Sequence, residues 1–225
     1  MKKAFIVLAF VATLFITEKA QAQLNLYAGY APELMYTYTP THDTTLFYHG
    51  VNLGLSWEFN LAHNLKLQAG AQFRMNIRGN TRQYWVEYED PETEGDPEGS
   101  YLIYHNVKER QSLIDIPILL KYNIPAGSKV IFSPFVGPML SWGLKGSTID
   151  TDTWPVSIEK KREWYGENGY KSRFNVYAMA GLEIDFKQFT ITLGGRYGFL
   201  NPDKLNASTT TTKAYGFFIN FGHTF

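Results

Sequence analysis

The charges that could do chemistry in this sequence stand at alternate positions among apolar residues. Glu58 lies in VNLGLSWEFNL (51–61), and Lys66, Arg74 and Arg78 lie in LKLQAGAQFRMNIR (65–78). Asp115 and Lys121 fall in 113–122, Glu183 and Asp185 in RFNVYAMAGLEID (173–185), and Arg196 in FTITLGGRYGFL (189–200). Carboxylates grouped on one side of a sheet can exchange protons with a substrate or select cations. Here they meet nearly as many basic groups: four acidic residues against Lys66, Arg74, Arg78, Lys121 and Arg196. An isolated buried charge costs far more than a neutralised pair, so this mixture favours a network of ion pairs that fills an enclosed space. Glu183 and Arg196, on neighbouring segments, are expected to pair. A conducting or ligand-binding interior is the alternative.

Other reactive types are sparse. His42, His49, His63, His105 and His223 are scattered, and neither a Gly-x-Ser-x-Gly element nor a metal-spaced histidine pair occurs. His42-Asp43 is the one neighbouring pair that a catalytic reading could use. No enzymatic activity, cofactor or metal is expected. The run YEDPETEGDPE (88–98) carries Glu89, Asp90, Glu92, Glu94, Asp96 and Glu98. Carboxylates can ligate calcium, but the spacing lacks the EF-hand pattern, and a solvated loop is expected. Between 145 and 172, Trp154, Trp164 and Tyr165 stand beside Lys160, Lys161 and Arg162. Such a loop could hold lipopolysaccharide phosphates or a glycan, or could pack on the rim of the fold.

The elements that must position these groups are strands. Side chains alternate apolar and polar with period two in the segments named above and in KAYGFFINFGHTF (213–225). Weaker alternation at 24–36, 113–122 and 130–144 brings the expected count to eight. Pro117 and Pro134 predict local irregularity, because proline cannot donate to a ladder. Connections alternate strictly in length: short at 62–64, 123–129 and 186–188, long and polar at 37–49, 79–110, 145–172 and 201–212. That asymmetry suits a membrane barrel with short periplasmic turns and four longer external loops. A soluble sandwich has no reason to show it.

The N-terminus reads as an export signal. Lys2 and Lys3 precede the apolar stretch Ala4 to Ile16, and Ala20-Gln21-Ala22 offers a cleavage site. The stretch is too short for a membrane helix. The expected division is therefore a signal peptide at 1–22 and one β-barrel domain at 23–225. Losing Lys2, Lys3, Lys19 and Glu18 takes 21 basic and 21 acidic groups to 18 and 20, a balance that gives no reason to expect nucleic acid. Cysteine is absent, so an exported domain must be held by packing or by a closed hydrogen-bonded ladder. The apolar faces are continuous and aromatic and would aggregate in water, whereas the polar faces are rich in Gly, Ser, Thr and Asn that fit a narrow lumen. In hydrocarbon an open sheet edge is untenable, so the sheet must close. The fold expected is an eight-stranded antiparallel transmembrane β-barrel in a bacterial outer membrane, in contact with its lipid and lipopolysaccharide.

Phe225, with Phe221 and further apolar residues at every second position before it, resembles the C-terminal signal read by the barrel assembly machinery; His223 departs from that pattern. The segments LIDIPILLKYNIP (113–125) and SPFVGPMLSWGL (133–144) resemble the paired motifs of the PorT-like outer-membrane β-barrel family, common in Bacteroidetes. The resemblance implies an eight-stranded outer-membrane barrel and no particular activity. A structural or interaction role, as an accessory subunit of a larger envelope complex, is the leading expectation. A narrow porin and a lipid A-modifying enzyme are the alternatives.

Overall fold

The computed structural model describes residues 23–41, 43–87, 100–152, 157–167, 169–204 and 210–225, with side chains omitted at 84–87 and 100–102. Among the described residues eleven strands form one antiparallel sheet: β1 (Gln23–Tyr30), β2 (Glu33–Tyr38), β3 (Asp43–Asn60), β4 (Leu65–Glu87), β5 (Ser100–Tyr122), β6 (Ile124–Ala126), β7 (Val130–Asp152), β8 (Ile158–Glu163), β9 (Phe174–Phe186), β10 (Phe189–Gly198) and β11 (Thr211–Thr224). Neighbours along the sheet run β11, β10, β9, β7, β5, β4, β3, and the two ends meet. Both β1 and β2 pair with β11 on one side and β3 on the other.

The extra strands have local causes. The segment expected at 24–36 is divided into β1 and β2 at Ala31-Pro32, where proline supplies no N–H and the Ala31 N–H turns to the Gly50 carbonyl at 2.8 Å. β6 makes a three-residue hairpin with β7 through a turn at Gly127, whose φ of 78° suits glycine. β8 pairs only with the far end of β7.

Strand ends also correct the loop boundaries. Most of 79–110 is β4 and β5 in continuous register from Arg78↔Glu109 to Glu87↔Ser100. β4, β5 and β7 have 23 residues each, about 75 Å of strand at ~3.3 Å per residue. An apolar belt about 25 Å tall, crossed at a tilt of about 40°, takes about 33 Å of that, so these hairpins project well beyond it. Pro117 interrupts the ladder on both sides. Pairing skips between Ala69↔Ile118 and Gln72↔Asp115 and again between Pro117↔Met139 and Leu120↔Val136. Pro134 keeps unbroken register with β9, and the bulge falls instead at Ser112/Leu113.

The two faces of the sheet are inverted relative to a water-soluble fold. Along β3, Val51, Leu53 and Trp57 are 51%, 57% and 41% exposed, whereas Asn52, Ser56 and Glu58 between them are buried. Outward apolar residues continue around the sheet through Phe73, Val136, Trp142, Leu193, Phe217 and Phe221. The inside is polar and ionic, with an apolar patch in which Leu119, Phe135, Met139, Met179 and Phe218 meet and a second cluster of Met35, Tyr48, Trp164 and Tyr165.

Candidate functional site

The inward positions of β4, beginning with Lys66, Gln68, Gln72, Arg74, Asn76 and Arg78, climb the inside of the closed sheet and divide it into layers. The lowest lies at the end with the short turns. Lys121 donates to both Glu58 and Glu183, Lys66 Nζ lies 2.9 Å from Glu58, and Thr192 donates to Glu183 at 3.1 Å. Asp185 accepts from Ser133 at 3.4 Å. The next ionic layer centres on Arg74, whose Nε donates to Asp115 at 2.7 Å and whose Nη1 donates to Glu33 at 2.5 Å. Ser141 and Gln72 complete Asp115 at 2.5 and 2.9 Å. Arg196 lies 3.3 Å from Glu33 and donates to the Ala31 carbonyl at 3.0 Å.

These groups come from strands on opposite sides of the sheet, so each layer crosses the whole interior. Arg74 and Asp115 are fully buried, and Lys121, Glu33 and Glu183 are within 2% of it. Charges so deeply buried persist only as paired, hydrogen-bonded sets. The space left between the layers, lined in part by Tyr27, Gln72, Phe135 and Phe218, is about 30 Å³. That cavity admits a water molecule or two.

Glu58, Lys66, Arg74, Arg78, Asp115, Lys121, Glu183, Asp185 and Arg196 are thus gathered on one side of the sheet, but the pairing expected between Glu183 and Arg196 is not formed. Their strands are adjacent, yet Glu183 is level with Thr192 and Arg196 with Met179, four residues further along. Each takes its counter-ion across the interior instead: Lys121 for Glu183 and Glu33 for Arg196. Sequence reasoning missed Glu33, which follows the break at Ala31-Pro32, and Glu109, which sits in the stretch read as loop. Glu109 holds Arg78 at 2.8 Å and accepts from Tyr48 at 2.6 Å and Thr148 at 3.3 Å.

Above these layers Trp164, Tyr165, Tyr170 and Lys171 fold back into the mouth. Trp164, a candidate ligand contact in a loop expected to pack on the rim of the fold, is fully buried. Its ring packs edge-on to Tyr48, with centroids 6.3 Å apart, and its Nε1 donates to Thr148 at 2.8 Å. Tyr165 beside it accepts from Gln111 at 2.7 Å. The two rings lie against Gly146 and Gly143 of β7. A Cβ at Gly146 would stand 2.8 Å from the Trp164 ring, and one at Gly143 would overlap Tyr165. Glycine at those two positions is what lets the aromatic pair lie flat on the strand.

Outside this cap lies a larger cavity of about 400 Å³. Its floor includes Lys171, 7% exposed, with Nζ 3.7 Å above the Trp164 ring. Burial pushes the Lys171 ammonium below the ordinary lysine value, and Asp203 and Glu109 act in the other direction. Burial likewise raises the Tyr170 hydroxyl. One wall is the projecting sheet, which presents Arg82, His105, Asp150 and Arg162.

The remaining candidates are placed as follows. Phe221 and Phe225 point outward at 58% and 71% exposure, with the His223 ring 4.6 Å from that of Phe225. Lys160, Lys161 and Arg162 are exposed on β8, and Arg162 pairs with Asp150 at 2.7 Å. Trp154, the acidic run at 88–98, His42 and the leader at 1–22 lie outside the described residues. Asp43 accepts from the Tyr36 hydroxyl. Among the described residues no cluster of three or more His, Asp or Glu is arranged to hold a metal ion.

Residues 21–202 match the outer membrane protein beta-barrel domain family. No curated protein matches the chain. Among solved structures it is similar to Ail, the attachment invasion locus protein of Yersinia pestis, at 15% identity over 91% of this chain and 99% of that one, with a TM-score of 0.45. Neisserial surface protein A shares 11% identity over 89% of this chain and 97% of its own, with a TM-score of 0.37. The outer membrane protease OmpT from Escherichia coli shares 8% over 93% and 97%, with a TM-score of 0.33. At such distances no shared activity follows.

Proposed function

This chain belongs to the outer membrane protein beta-barrel domain family, and on that premise we propose that it spans the outer membrane as a sealed eight-staved barrel that works through its outer surface. β1 and β2 count as one stave, interrupted at Ala31-Pro32, and β3, β4, β5, β7, β9, β10 and β11 supply the other seven. In this reading the turns at 61–64, 123–129 and 187–188 face the periplasm, and the four long hairpins face outward. Residues 1–22 are the export signal, removed before Gln23 starts β1. The segments 113–125 and 133–144, which pair with each other through Leu113↔Gly143 to Lys121↔Phe135, carry the proposed closer kinship to PorT-like barrels.

The observation that carries the proposal is the pair of ionic layers: Lys121 on β5 with Glu58 on β3 and Glu183 on β9, and the chain Asp115–Arg74–Glu33–Arg196, which runs from β5 and β4 through β2 to β10 across the interior. An interior closed in this way offers surfaces rather than a channel. The role that fits is non-catalytic: an anchor in lipid and lipopolysaccharide whose hairpins engage other components of the envelope, as an accessory subunit of a larger complex. Planar-bilayer recording of the refolded chain tests the seal. No steady, resolved conductance is expected; reproducible unitary openings would replace the proposal with a narrow porin. Co-purification from native membranes in mild detergent tests the role, and a chain recovered without any stoichiometric partner would count against it.

A further inference from the structure

We propose that the outer cavity is a binding site for a small sugar phosphate, with Lys171 and Arg82 holding the phosphate. Most of the charges that line the cavity are already engaged. Arg78 is paired with Glu109 at 2.8 Å and Arg162 with Asp150 at 2.7 Å, while His105 meets Asp152 at 2.6 Å. Asp203 accepts from the Thr212 hydroxyl. That leaves Lys171 and Arg82, neither of which forms an ion pair among the described residues. Counting Arg78, Arg82, Arg162 and Lys171 against Glu109, Asp150 and Asp203, the lining has one positive charge in excess.

Lys171 is the stronger pointer of the two. It is more than nine-tenths buried, stands over the Trp164 ring and contributes to the cavity lining. A lysine desolvated to that degree, with Asp203 and Glu109 acting on it but no carboxylate at ion-pair distance among the described residues, is stabilised when an anion enters, and charge-assisted bonds to a phosphate oxygen are the strong kind. Arg82, its unpaired counterpart, is set in register with His105, which faces Asp152 in turn, so this row runs across β4, β5 and β7.

The rest of the lining argues for hydroxyl groups on the ligand. Asn80 offers a neutral amide, Thr37 and Thr212, which bond each other at 3.0 Å, offer acceptor lone pairs, and the Arg78–Glu109 and Arg162–Asp150 pairs have further hydrogen-bonding capacity. Tyr170 supplies an aromatic edge. At about 400 Å³ the cavity is of the size that holds one small polar molecule. The site lies above the sealed layers, so it needs no passage through the barrel.

The test is calorimetric titration of the full chain, refolded in nanodiscs, with glucose 6-phosphate and with glucose. Saturable binding of the phosphate and none of glucose is expected. Lys171→Met and Arg82→Gln should each weaken it about tenfold or more. Lys161→Gln, which alters an exposed β8 residue on the opposite side of that strand from Arg162, should leave it unchanged. Heat-dependent gel mobility establishes that every variant is folded. Repeating the titration in nanodiscs containing lipopolysaccharide identifies the source. Competition upholds the site for an envelope-borne sugar phosphate, and unchanged binding upholds it for a free one. Absence of saturable binding, equal binding of glucose, or wild-type affinity in folded Lys171→Met and Arg82→Gln would overturn the proposal.

Discussion

Replacing Arg74 by methionine should be the most damaging single change inside the barrel. Methionine keeps most of the length and removes the guanidinium, which is fully buried and serves two carboxylates, Asp115 at 2.7 Å and Glu33 at 2.5 Å. Glu33 keeps Arg196 at 3.3 Å, whereas Asp115 is left with hydrogen bonds from Ser141 and Gln72 and, among the described residues, no cation at ion-pair distance. Removing one partner of a buried pair costs about 3–5 kcal/mol, and one stranded carboxylate rather than two keeps the expected loss within that range. Lys66→Met is the control. Its side chain is 18% exposed and its partner Glu58 retains Lys121, so about 0–1 kcal/mol is expected. Urea unfolding from lipid vesicles, followed by tryptophan fluorescence and heat-dependent gel mobility, measures both. The double variant Arg74→Met/Asp115→Leu should recover much of the loss, because replacing both members of a buried pair is often nearly neutral. An Arg74→Met variant no less stable than Lys66→Met, or a double variant worse than the single one, would refute the reasoning.

Three further outcomes follow from local geometry. Gly146→Val places carbon against the Trp164 ring and should expel the cap, costing about 1–3 kcal/mol and opening the 164–165 region to chymotrypsin with a red-shifted emission. Gly127→Ala forces a side chain into a turn with φ of 78° and should cost about 1 kcal/mol in urea unfolding, with no change in trypsin cleavage of the long hairpins. Lys171 titrates below the ordinary lysine value in the folded chain. Between that depressed value and about 10.4 the unfolded chain holds a proton the folded chain has released, so stability rises with pH across the window. The destabilisation is fully present below it. Lys171→Met should flatten that rise when urea midpoints are compared between pH 7 and pH 10.5; an unchanged slope would contradict the assignment.

The sequence was most informative where one face of a strand meets lipid and the other the interior. From Val51 to Glu58 the alternation in β3 is the burial pattern itself, because a one-residue slip would exchange every outward apolar side chain for an inward polar one. The same rule gathered the nine charged residues on one side. It could not rank their partners, since alternation gives the side of the sheet but not the height across the barrel; Glu183 and Arg196 share a side and miss each other by four residues. Beyond the belt both faces of β4 and β5 meet water or polar groups, so alternation disappears and strand looked like loop, which concealed Glu109. Glu33 was hidden by the stave break at Ala31-Pro32. For Trp164 the available signal was Gly143 and Gly146, two small residues on a strand that otherwise alternates, where a ring can lie flat against the backbone.

The account stands on the direction of the two faces, and the absence of native cysteine makes it directly measurable. Single cysteines at Leu53, Phe73, Val136 and Leu193 on one face, and at Ser56 and Ser141 on the other, can carry nitroxides in reconstituted bilayers. Collision rates with dissolved oxygen and with a water-soluble nickel chelate should separate the sets. The first four should be open to oxygen and shielded from nickel; the two interior sites should be shielded from both. Nickel access at Leu53, Phe73, Val136 and Leu193, or free access of nickel to Ser56 and Ser141, would contradict a lipid-facing belt around a sealed ionic interior.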